Sequence, residues 1–357
     1  MSVSRIAALR KKIKTENLDG LIVNHLDHIR YLSGFTGSSG LLIVMQNMAH
    51  FFTDSRYTIQ AAKQVKGARV HIVPSEPIGS LNGFKWLQHK NLKLGFDSEH
   101  ISVAKRALIQ KKIPGALLTE SESLLADLGW IKDSAELKNI IKACEIADKA
   151  FARILQLVKP GVSERELAAE LEYQMLMLGS EKPAFESIVA SGYRSAMPHG
   201  LASAKKVKKG DFITFDFGAT VNGYVSDMTR TVVVGKATSR QKRVYNVVLR
   251  AQKAGIRKIK AGIAAKQVDK ACRDIIARAG YGKNFGHGTG HGIGYYVHVG
   301  PSLSPKSKDR LAVNQVVTVE PGIYISGWGG VRIEDDVVVT RNGGKVLNKT
   351  SKNLLEL

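Results

Sequence analysis

Cysteine is scarce in this sequence of 357 residues, which contains only Cys144 and Cys272. Both cysteines lie within amphipathic helical patterns, and neither belongs to a CxxC pair. This scarcity and spacing argue against a zinc ribbon and against a disulfide framework. We therefore interpret the two cysteines as buried free thiols.

Long apolar runs are also missing. The longest, LLIV at 41–44 and VVTV at 316–319, are far shorter than the roughly 18 residues that span a bilayer. The N-terminus lacks the continuous apolar core of a signal peptide, and its Ile6, Leu9 and Ile13 recur at helical spacing among basic residues. We expect a cytoplasmic protein with no membrane segment, whose first residues form a helix.

Acidic residues are few, with 31 against 53 basic ones and a net charge of +22. A basic surface attracts phosphates, so this charge raises the hypothesis of nucleic-acid binding. The excess is spread along the chain, however, and its densest run, KKVKK at 205–209, lies beside a glycine and before a predicted strand, as a solvated loop does. We therefore do not expect nucleic-acid binding as the main function.

The length of the chain favours two domains, because single cores stop growing at roughly 250–300 residues. Residues 20–74 alternate short apolar runs with turn residues and helical stretches, which is typical of a small α/β domain. A second domain begins near residue 130, where Asp133 or Ser134 can cap an amphipathic helix. The predicted domains are 1–130 and 131–357.

The second domain contains an internal repeat. Segments 159–179 and 260–280 align without gaps, with a lysine and both bordering glycines matched. Each segment is typical of a helix that is entered by a turn and closed by a glycine. Because a β-hairpin with two acidic residues follows each helix, we interpret this domain as a duplicated αβ unit packed about a pseudo-twofold axis.

The first hairpin carries Asp216 and Asp227. Between them, Asn222 and Gly223 form a strong two-residue turn signal, which places Asp216 opposite Thr229 and puts both aspartates on one face. Diagonal partners of this kind have side chains close enough to converge on the same ions. The hairpin therefore predicts a pair of carboxylates that face a common point.

The second hairpin carries Glu320 and Glu334 at the corresponding positions. Its turn lies within 326–330, and symmetry about Gly327 sets the two glutamates directly opposite each other. Two carboxylates that face each other in strands rich in Val and Ile repel and lose hydration. Bound cations would compensate both costs, so the two hairpins together predict a metal site.

The segment HGTGHGIG at 287–294 supplies histidines for such a site. Its glycines disfavour a helix, and it lacks the glutamate of the zinc motif HExxH. We predict a glycine-rich turn, which would bring the backbone close to ions and substrate and present His287 and His291. We interpret His291 as a ligand beside the four carboxylates.

The donor set indicates the kind of metal. Four carboxylates and one imidazole form a hard, oxygen-rich donor set. This set suits manganese, cobalt or iron better than it suits zinc of the kind bound by thiolates. Two divalent ions would balance the four negative charges, and in such sites the ions share a water whose proton is lost near neutral pH. We expect manganese or cobalt, with iron or zinc as alternatives, and hydrolysis of a carbonyl by a metal-bridging hydroxide.

Six segments of the second domain together carry a resemblance to a known family: TFDFG, SDMTRT, HGTGHGIG, VHVGP, VTVEPGIY and GVRIEDDVVVT. The set resembles the pita-bread metallopeptidases, in the branch of aminopeptidase P and prolidase. GLIVNHLDHIRYLSGFTGSSG and FFTDSRY are similar to the creatinase-type leading domain of that branch. The resemblance covers essentially the whole chain. It implies an N-terminal creatinase-like α/β domain followed by a C-terminal pita-bread catalytic domain of the α+β class.

The resemblance also implies roles for individual residues. His199 and His298, which occupy equivalent places in the repeat, would contact the scissile peptide and stabilise the developing oxyanion. Glu320 would also be the proton shuttle. His287 and Arg332 are predicted to bind substrate, although Arg332 could instead orient a ligand carboxylate. The implied metal ligands are Asp216, Asp227, His291, Glu320 and Glu334.

The implied activity is hydrolysis of an Xaa-Pro bond, either at the N-terminus of a proline-containing peptide or in a dipeptide, by a homodimer. One alternative is a non-catalytic pita-bread protein that binds protein or nucleic acid, but lost ligands would be its signature and all five are present. A second alternative is creatinase-like hydrolysis of a guanidino compound, which needs no metal, so the intact set of ligands argues against it. Methionine aminopeptidases lack the long leading domain and are disfavoured for that reason. One departure is Val299, since many relatives carry an acidic residue at the position after His298.

Overall fold

A six-stranded mixed sheet forms the centre of the first part of the chain. The computed structural model describes residues 2–121 and 123–357, and the chain divides into the units Met1–Gly129 and Trp130–Leu357. In the first unit the apolar runs GLIV, GLLIVM, HFFTD and RVHIV of residues 20–74 form strands, which agrees with the predicted α/β domain. The strands are β1 (Gly20–Val23), β2 (Leu41–Met45), β3 (Ala49–Asp54), β4 (Arg69–Val73), β5 (Leu92–Phe96) and β6 (Ala116–Glu120). The helices are α1 (Ser2–Thr15), α2 (Leu26–Ser33), α3 (Thr58–Gln64), α4 (Val103–Lys112) and α5 (Ser123–Ala126).

The strand order of this sheet is β4-β3-β2-β1-β5-β6. Strand β1 is antiparallel to β2 and parallel to β5, and the pairs β3–β4 and β5–β6 are also parallel. Strands covered on both faces are apolar throughout, and all four residues of β1 are buried. Helix α1 confirms the predicted N-terminal helix, because its Ile6, Leu9 and Ile13 are each at most 1% exposed.

The second unit contains two helix pairs, each followed by strands. The helices are α6 (Ser134–Ile154), α7 (Glu164–Met177), α8 (Ser239–Lys258) and α9 (Ala265–Arg278). The strands of the first half are β7 (Ile188–Ser191), β8 (Phe212–Phe217), β9 (Thr220–Val221), β10 (Tyr224–Val225) and β11 (Met228–Val233). Those of the second half are β12 (Gly290–Gly292), β13 (Val299–Leu303), β14 (Val316–Val319), β15 (Gly322–Ile325), β16 (Gly329–Arg332), β17 (Asp335–Val339) and β18 (Gly344–Val346). They form the sheets β11-β8-β7 and β13-β12-β14-β17-β18 and the two-stranded ribbons β9-β10 and β15-β16.

The internal repeat is reproduced in the structure. Helices α7 and α9 begin and end at matching positions of the two aligned segments. Gly161 and Gly262 precede them with φ of 94° and 81°, and Gly179 and Gly280 follow with φ of 99° and 87°. These left-handed angles favour glycine, which explains why both bordering glycines match in the repeat.

Asp133, and not Ser134, is the N-cap of helix α6. The Asp133 side chain accepts hydrogen bonds from the backbone N–H groups of Ala135 and Glu136, and the Glu136 side chain accepts one from the Asp133 N–H. This reciprocal capping box fixes the start of the second unit's first helix.

The first acidic hairpin has the predicted register. Asn222 and Gly223 adopt φ of 50° and 81°, the left-handed conformation that a two-residue hairpin turn of type I′ requires at both positions. Thr229 pairs with Asp216 across strands β11 and β8. The sequence therefore predicted both the turn and the pairing correctly.

The second acidic hairpin also has the predicted register. Strand β14 pairs with β17, and β15 with β16, in one continuous register centred on Gly327. Glu320 lies between β14 and β15, and Glu334 lies between β16 and β17. The two glutamates are therefore opposite each other.

The prediction of a turn at 287–294 is wrong at its centre, where Gly290–Gly292 forms strand β12 between β13 and β14. The glycines there permit close packing of strands. A Cβ atom on Gly290 would lie 2.1 Å from the Thr318 carbonyl oxygen, and one on Gly292 would lie 2.2 Å from that of Gly300. Side chains at these positions would separate β12 from its neighbours.

Cys144 in α6 and Cys272 in α9 are both buried and free, as predicted. Among the residues that the structure describes, no helix is both long and apolar enough to cross a membrane.

Candidate metal centre

The four predicted carboxylates lie at the edges of the two hairpins. Asp216 is in β8, whereas Asp227, Glu320 and Glu334 each lie at a break between two consecutive strands. At these breaks the backbone is bonded to other segments. The Asp227 N–H donates to the Asp336 carboxylate (2.9 Å), the Glu320 N–H donates to the Thr289 carbonyl (2.8 Å) and the Glu334 N–H donates to the Thr229 carbonyl (3.1 Å).

The bond from Glu334 to Thr229 is one of several that join the two hairpins. It joins the second hairpin to the strand of the first hairpin that begins just after Asp227. The donor atoms of Asp227, His291 and Glu334 consequently all lie within 4.8 Å of one another. His291 Nε2 is 3.7 Å from an Asp227 oxygen and 3.4 Å from a Glu320 oxygen.

All nine residues predicted for the site line one cavity of about 500 Å³. It contains Asp216, Asp227, His291, Glu320 and Glu334, which we call the carboxylate cage, together with His199, His287, His298 and Arg332.

The carboxylates of the cage are crowded together, and in the described part of the chain not all of their oxygens have a hydrogen-bond partner. The buried oxygens Asp216 Oδ1 and Asp227 Oδ1 have no hydrogen-bond partner among the described residues. Burial raises the pKa of Asp227 well above its ordinary value, and the neighbouring Glu334 raises it further. Burial also raises the pKa of Glu334 well above its ordinary value, and the charge of Glu320 raises it further. Oxygen donors that repel one another and lack partners fit divalent cations, so the residues present suit the predicted metal.

Hydroxyl groups hold the glutamates of the cage in place. Thr229 Oγ1 donates to Glu334 Oε2 at 2.5 Å, and Thr318 Oγ1 donates to Glu320 Oε1 at 3.3 Å. The same Thr318 hydroxyl accepts the backbone N–H of His291 at 3.1 Å. These threonines therefore orient groups of the cage without being ligands themselves.

The ring of His291 is oriented for metal binding through Nε2. Its Nδ1 lies 3.1 Å from the Gly292 carbonyl oxygen, which can only accept, so Nδ1 carries the proton. Nε2 is then a free acceptor that points toward Asp227 and Glu320. Burial lowers the pKa of His291, which favours this neutral form.

Arg332, which was predicted to bind substrate, forms hydrogen bonds with a carboxylate of the cage. It is 3% exposed, and its guanidinium donates to Asp216 Oδ2 and to the Tyr324 hydroxyl at 2.9 Å. His287 Nε2 lies 2.9 Å from that same hydroxyl, and burial lowers the pKa of His287. This geometry favours the other predicted role of Arg332, which is to orient a ligand carboxylate.

His199 and His298 are both exposed on the wall of the cavity. The ring centroid of His298 is 4.3 Å from that of His291, and burial together with His291 lowers the pKa of His298. The structure thus places this histidine pair beside the cage with access to solvent.

Several residues that support the cage were missed from the sequence. Tyr324 links His287 to Arg332, and buried Asp336 accepts both the Asp227 N–H and the Cys144 thiol. Burial raises the pKa of Asp336 to about 8. Its place in the pair Asp335–Asp336 of GVRIEDDVVVT was the available signal, because an Asp–Asp pair inside a buried strand requires internal partners.

Two related αβ halves that converge on a carboxylate-rich cavity define a metal-dependent hydrolase with the pita-bread fold. The chain belongs to metallopeptidase family M24, whose model matches residues 138–341. Residues 5–128 match the creatinase/prolidase N-terminal domain. The predicted family and fold are therefore confirmed.

Relatives with known names cover nearly the whole chain. It is 40% identical over 344 residues to a Xaa-Pro dipeptidase of Pyrococcus horikoshii, with 95% of each protein covered. The structure of a Xaa-Pro dipeptidase from Bacillus anthracis matches with a TM-score of 0.96 and 41% identity, over 100% of both chains. That of an X-Pro aminopeptidase from Thermotoga maritima matches with a TM-score of 0.90 and 36% identity, over 97% of this chain and 100% of the other.

Proposed function

We propose that this chain hydrolyses Xaa-Pro peptide bonds with two divalent metal ions, manganese or cobalt, held by the carboxylate cage. The observation that carries this proposal is the convergence of all five cage residues and the histidine pair His199 and His298 on one cavity. The names of the relatives that cover nearly the whole chain support the substrate class.

When bound, the two ions would polarise the scissile carbonyl and lower the pKa of a shared water, which supplies a hydroxide nucleophile near neutral pH. His199 and His298 stand on the wall of the cavity. From this position the two imidazoles donate N–H hydrogen bonds to the carbonyl oxygen of the scissile peptide as negative charge develops on it. Arg332 holds Asp216 in place and, through Tyr324, is linked to His287.

Glu320 moves the proton. The nitrogen of an Xaa-Pro bond carries no hydrogen, and it leaves as a basic secondary amine that must gain one. Glu320 accepts the proton released by the attacking water and delivers it to this nitrogen. Its carboxylate is held by the Thr318 hydroxyl on one oxygen, which keeps it facing His291 and the cavity.

The test compares three substrates with the metal-loaded chain: an Xaa-Pro dipeptide, an Xaa-Pro-Xaa tripeptide and an Xaa-Ala dipeptide. We expect the Xaa-Pro dipeptide to be hydrolysed with Mn²⁺ or Co²⁺ added, and the Xaa-Ala dipeptide to be at least about a hundred-fold slower. Faster hydrolysis of the tripeptide would assign an aminopeptidase instead. No hydrolysis of either proline substrate would overturn the proposal.

Substitution of Tyr324 tests the link between Arg332 and His287. The change Tyr324→Phe removes the hydroxyl but keeps the buried ring, so we expect a folded protein whose kcat/KM falls by about 10- to 100-fold. Steady-state kinetics on the Xaa-Pro substrate measure the change, with Tyr173→Phe on the exposed side of α7 as the matched control. An unchanged kcat/KM in Tyr324→Phe would show that the hydroxyl does not position the site.

We also propose that the chain forms a homodimer, as leading domains of the creatinase type commonly join subunits. Light scattering of the full chain should give twice the mass of one chain. A monomeric mass at assay concentrations would contradict this.

A further inference from the structure

A second group of metal-binding side chains lies in the N-terminal unit. His25 and His28 come directly before and within the first turn of α2, and Asp97 and His100 lie in the turn after β5. In sequence they form HLDH and DSEH, two pairs with the same spacing. Short spacings of this kind are typical of paired metal ligands, because both side chains then project from a single turn.

The fold explains why the two pairs meet. Strands β1 and β5 are parallel neighbours, so the segments that follow them leave from the same edge of the sheet. The next strand after β1 lies on one side of this pair, and the next strand after β5 lies on the other. Crevices at such a switch point, beyond the carboxyl ends of the strands, are where open α/β sheets bind ligands.

The side chains converge on one carboxylate oxygen. Asp97 Oδ2 lies 3.0 Å from His28 Nδ1 and 2.9 Å from His100 Nδ1. The donor atoms of these three residues are all within 4.8 Å of one another, and Asp97 is only 2% exposed. The ring centroid of His25 lies 4.0 Å from that of His100 and 5.3 Å from that of His28.

We propose that His28, Asp97 and His100 bind a divalent transition-metal ion of the Zn²⁺ type, with His25 as the fourth ligand. A tetrahedral Zn²⁺ ion binds nitrogen and oxygen at about 2.0–2.1 Å, which spaces its ligands roughly 3.3 Å apart. The two distances from Asp97 Oδ2, 3.0 Å to His28 Nδ1 and 2.9 Å to His100 Nδ1, need to increase by only about 0.3–0.4 Å to admit it. His28 and His100 coordinate the ion through Nδ1 as neutral rings whose single proton is on Nε2, and any proton displaced from Nδ1 passes to solvent.

The charges of the cluster suit this ion. Burial lowers the pKa of His25, as do His100 and His28, which keeps its imidazole neutral and able to coordinate. Burial would raise the pKa of Asp97, but the hydrogen bond with His28 and the electrostatic interactions with His28 and His100 lower it overall, so the carboxylate is ionised. Imidazole-rich sites suit zinc, copper and nickel, whereas the carboxylate cage suits manganese and cobalt.

The experiment counts bound ions in the full chain. Protein stripped with a chelator is titrated with Zn²⁺ alone, and bound zinc is measured by calorimetry and by elemental analysis after gel filtration. The variant His28→Asn/His100→Asn is expected to bind one Zn²⁺ fewer per chain than the unsubstituted protein. The matched control His89→Asn, an exposed histidine of the same unit, is expected to bind the same number as the unsubstituted protein.

Activity separates this site from the cage. With saturating Mn²⁺, hydrolysis of the Xaa-Pro substrate by the double variant should stay within about two-fold, because neither histidine is part of the catalytic cavity. Equal zinc content in the double variant and the unsubstituted chain would overturn the proposal. If the double variant does not fold, the isosteric change Asp97→Asn provides the test, with at least a ten-fold weaker Zn²⁺ affinity expected and an unchanged affinity contradicting the site.

Discussion

Replacing Asp227 with alanine is expected to abolish Xaa-Pro hydrolysis while leaving the protein folded. Its carboxylate faces His291 and Glu334 within the cage, so its loss removes a metal ligand. Lewis-acid activation supplies several kcal/mol of transition-state stabilisation, and kcat/KM should therefore fall by at least about a thousand-fold. Metal content measured on the same sample should fall in parallel.

Stability should change little in Asp227→Ala, by less than about 1 kcal/mol. Burial and Glu334 raise the pKa of this carboxyl, and its Oδ1 has no partner among the described residues, so its removal relieves repulsion. The backbone bond to Asp336 remains. Calorimetric melting without added metal measures the effect, and the matched control is Asp274→Ala, a partly exposed aspartate of α9 that pairs with Lys270. Retained turnover would contradict the assignment of Asp227 as a ligand.

The hairpins were predictable because their signals are local. Asn222 and Gly223 supply the left-handed residues that a type I′ turn needs, and period-two alternation then fixes which side chains share a face. The repeat extended this reasoning from one hairpin to the other. Four carboxylates of the cage could thus be paired before any long-range contact was known.

Other elements could not be read from local signals. Strand β5, LKLGF, contains a lysine and a glycine and is too short to show a clear period, so its place beside β1 depends on tertiary packing. The segment around Gly290 was expected to be a turn because its local sequence is rich in glycine, and only tertiary packing makes it a strand. Its glycines fit a strand that is crowded by Gly300 and by Thr318, residues of the two neighbouring strands.

The supporting residues of the cage were invisible for a further reason. Thr229, Thr318 and Tyr324 are neutral hydroxyls with no sequence signature, and their roles depend on which side chains the folded hairpins place beside them. The pairs HLDH and DSEH did have a signature, in their matched spacing. They lie on opposite sides of β2, β3 and β4 in the chain, so only the pairing of β1 with β5 brings them together.

Replacing Arg230 with alanine is expected to destabilise the second unit by about 3–5 kcal/mol, because it breaks a buried ion pair. Arg230 is 2% exposed and donates to Asp335 Oδ1 at 2.7 Å. It also donates to the Glu334 carbonyl and to the Thr350 carbonyl at 2.9 Å. No small side chain can replace these bonds, so the acceptors would be left buried without this donor.

Calorimetry of the full chain measures this loss, which should lower the melting temperature of the second unit by roughly 10 °C. The matched control is Arg243→Ala on the exposed face of α8, where a change below about 0.5 kcal/mol is expected. Because Arg230 bonds the carbonyls of both Thr229 and Glu334, its loss also loosens the junction that joins the two hairpins. We therefore expect kcat/KM to fall by about 10- to 100-fold even at temperatures where Arg230→Ala is folded. A destabilised variant with full activity would show that the cage does not depend on this junction.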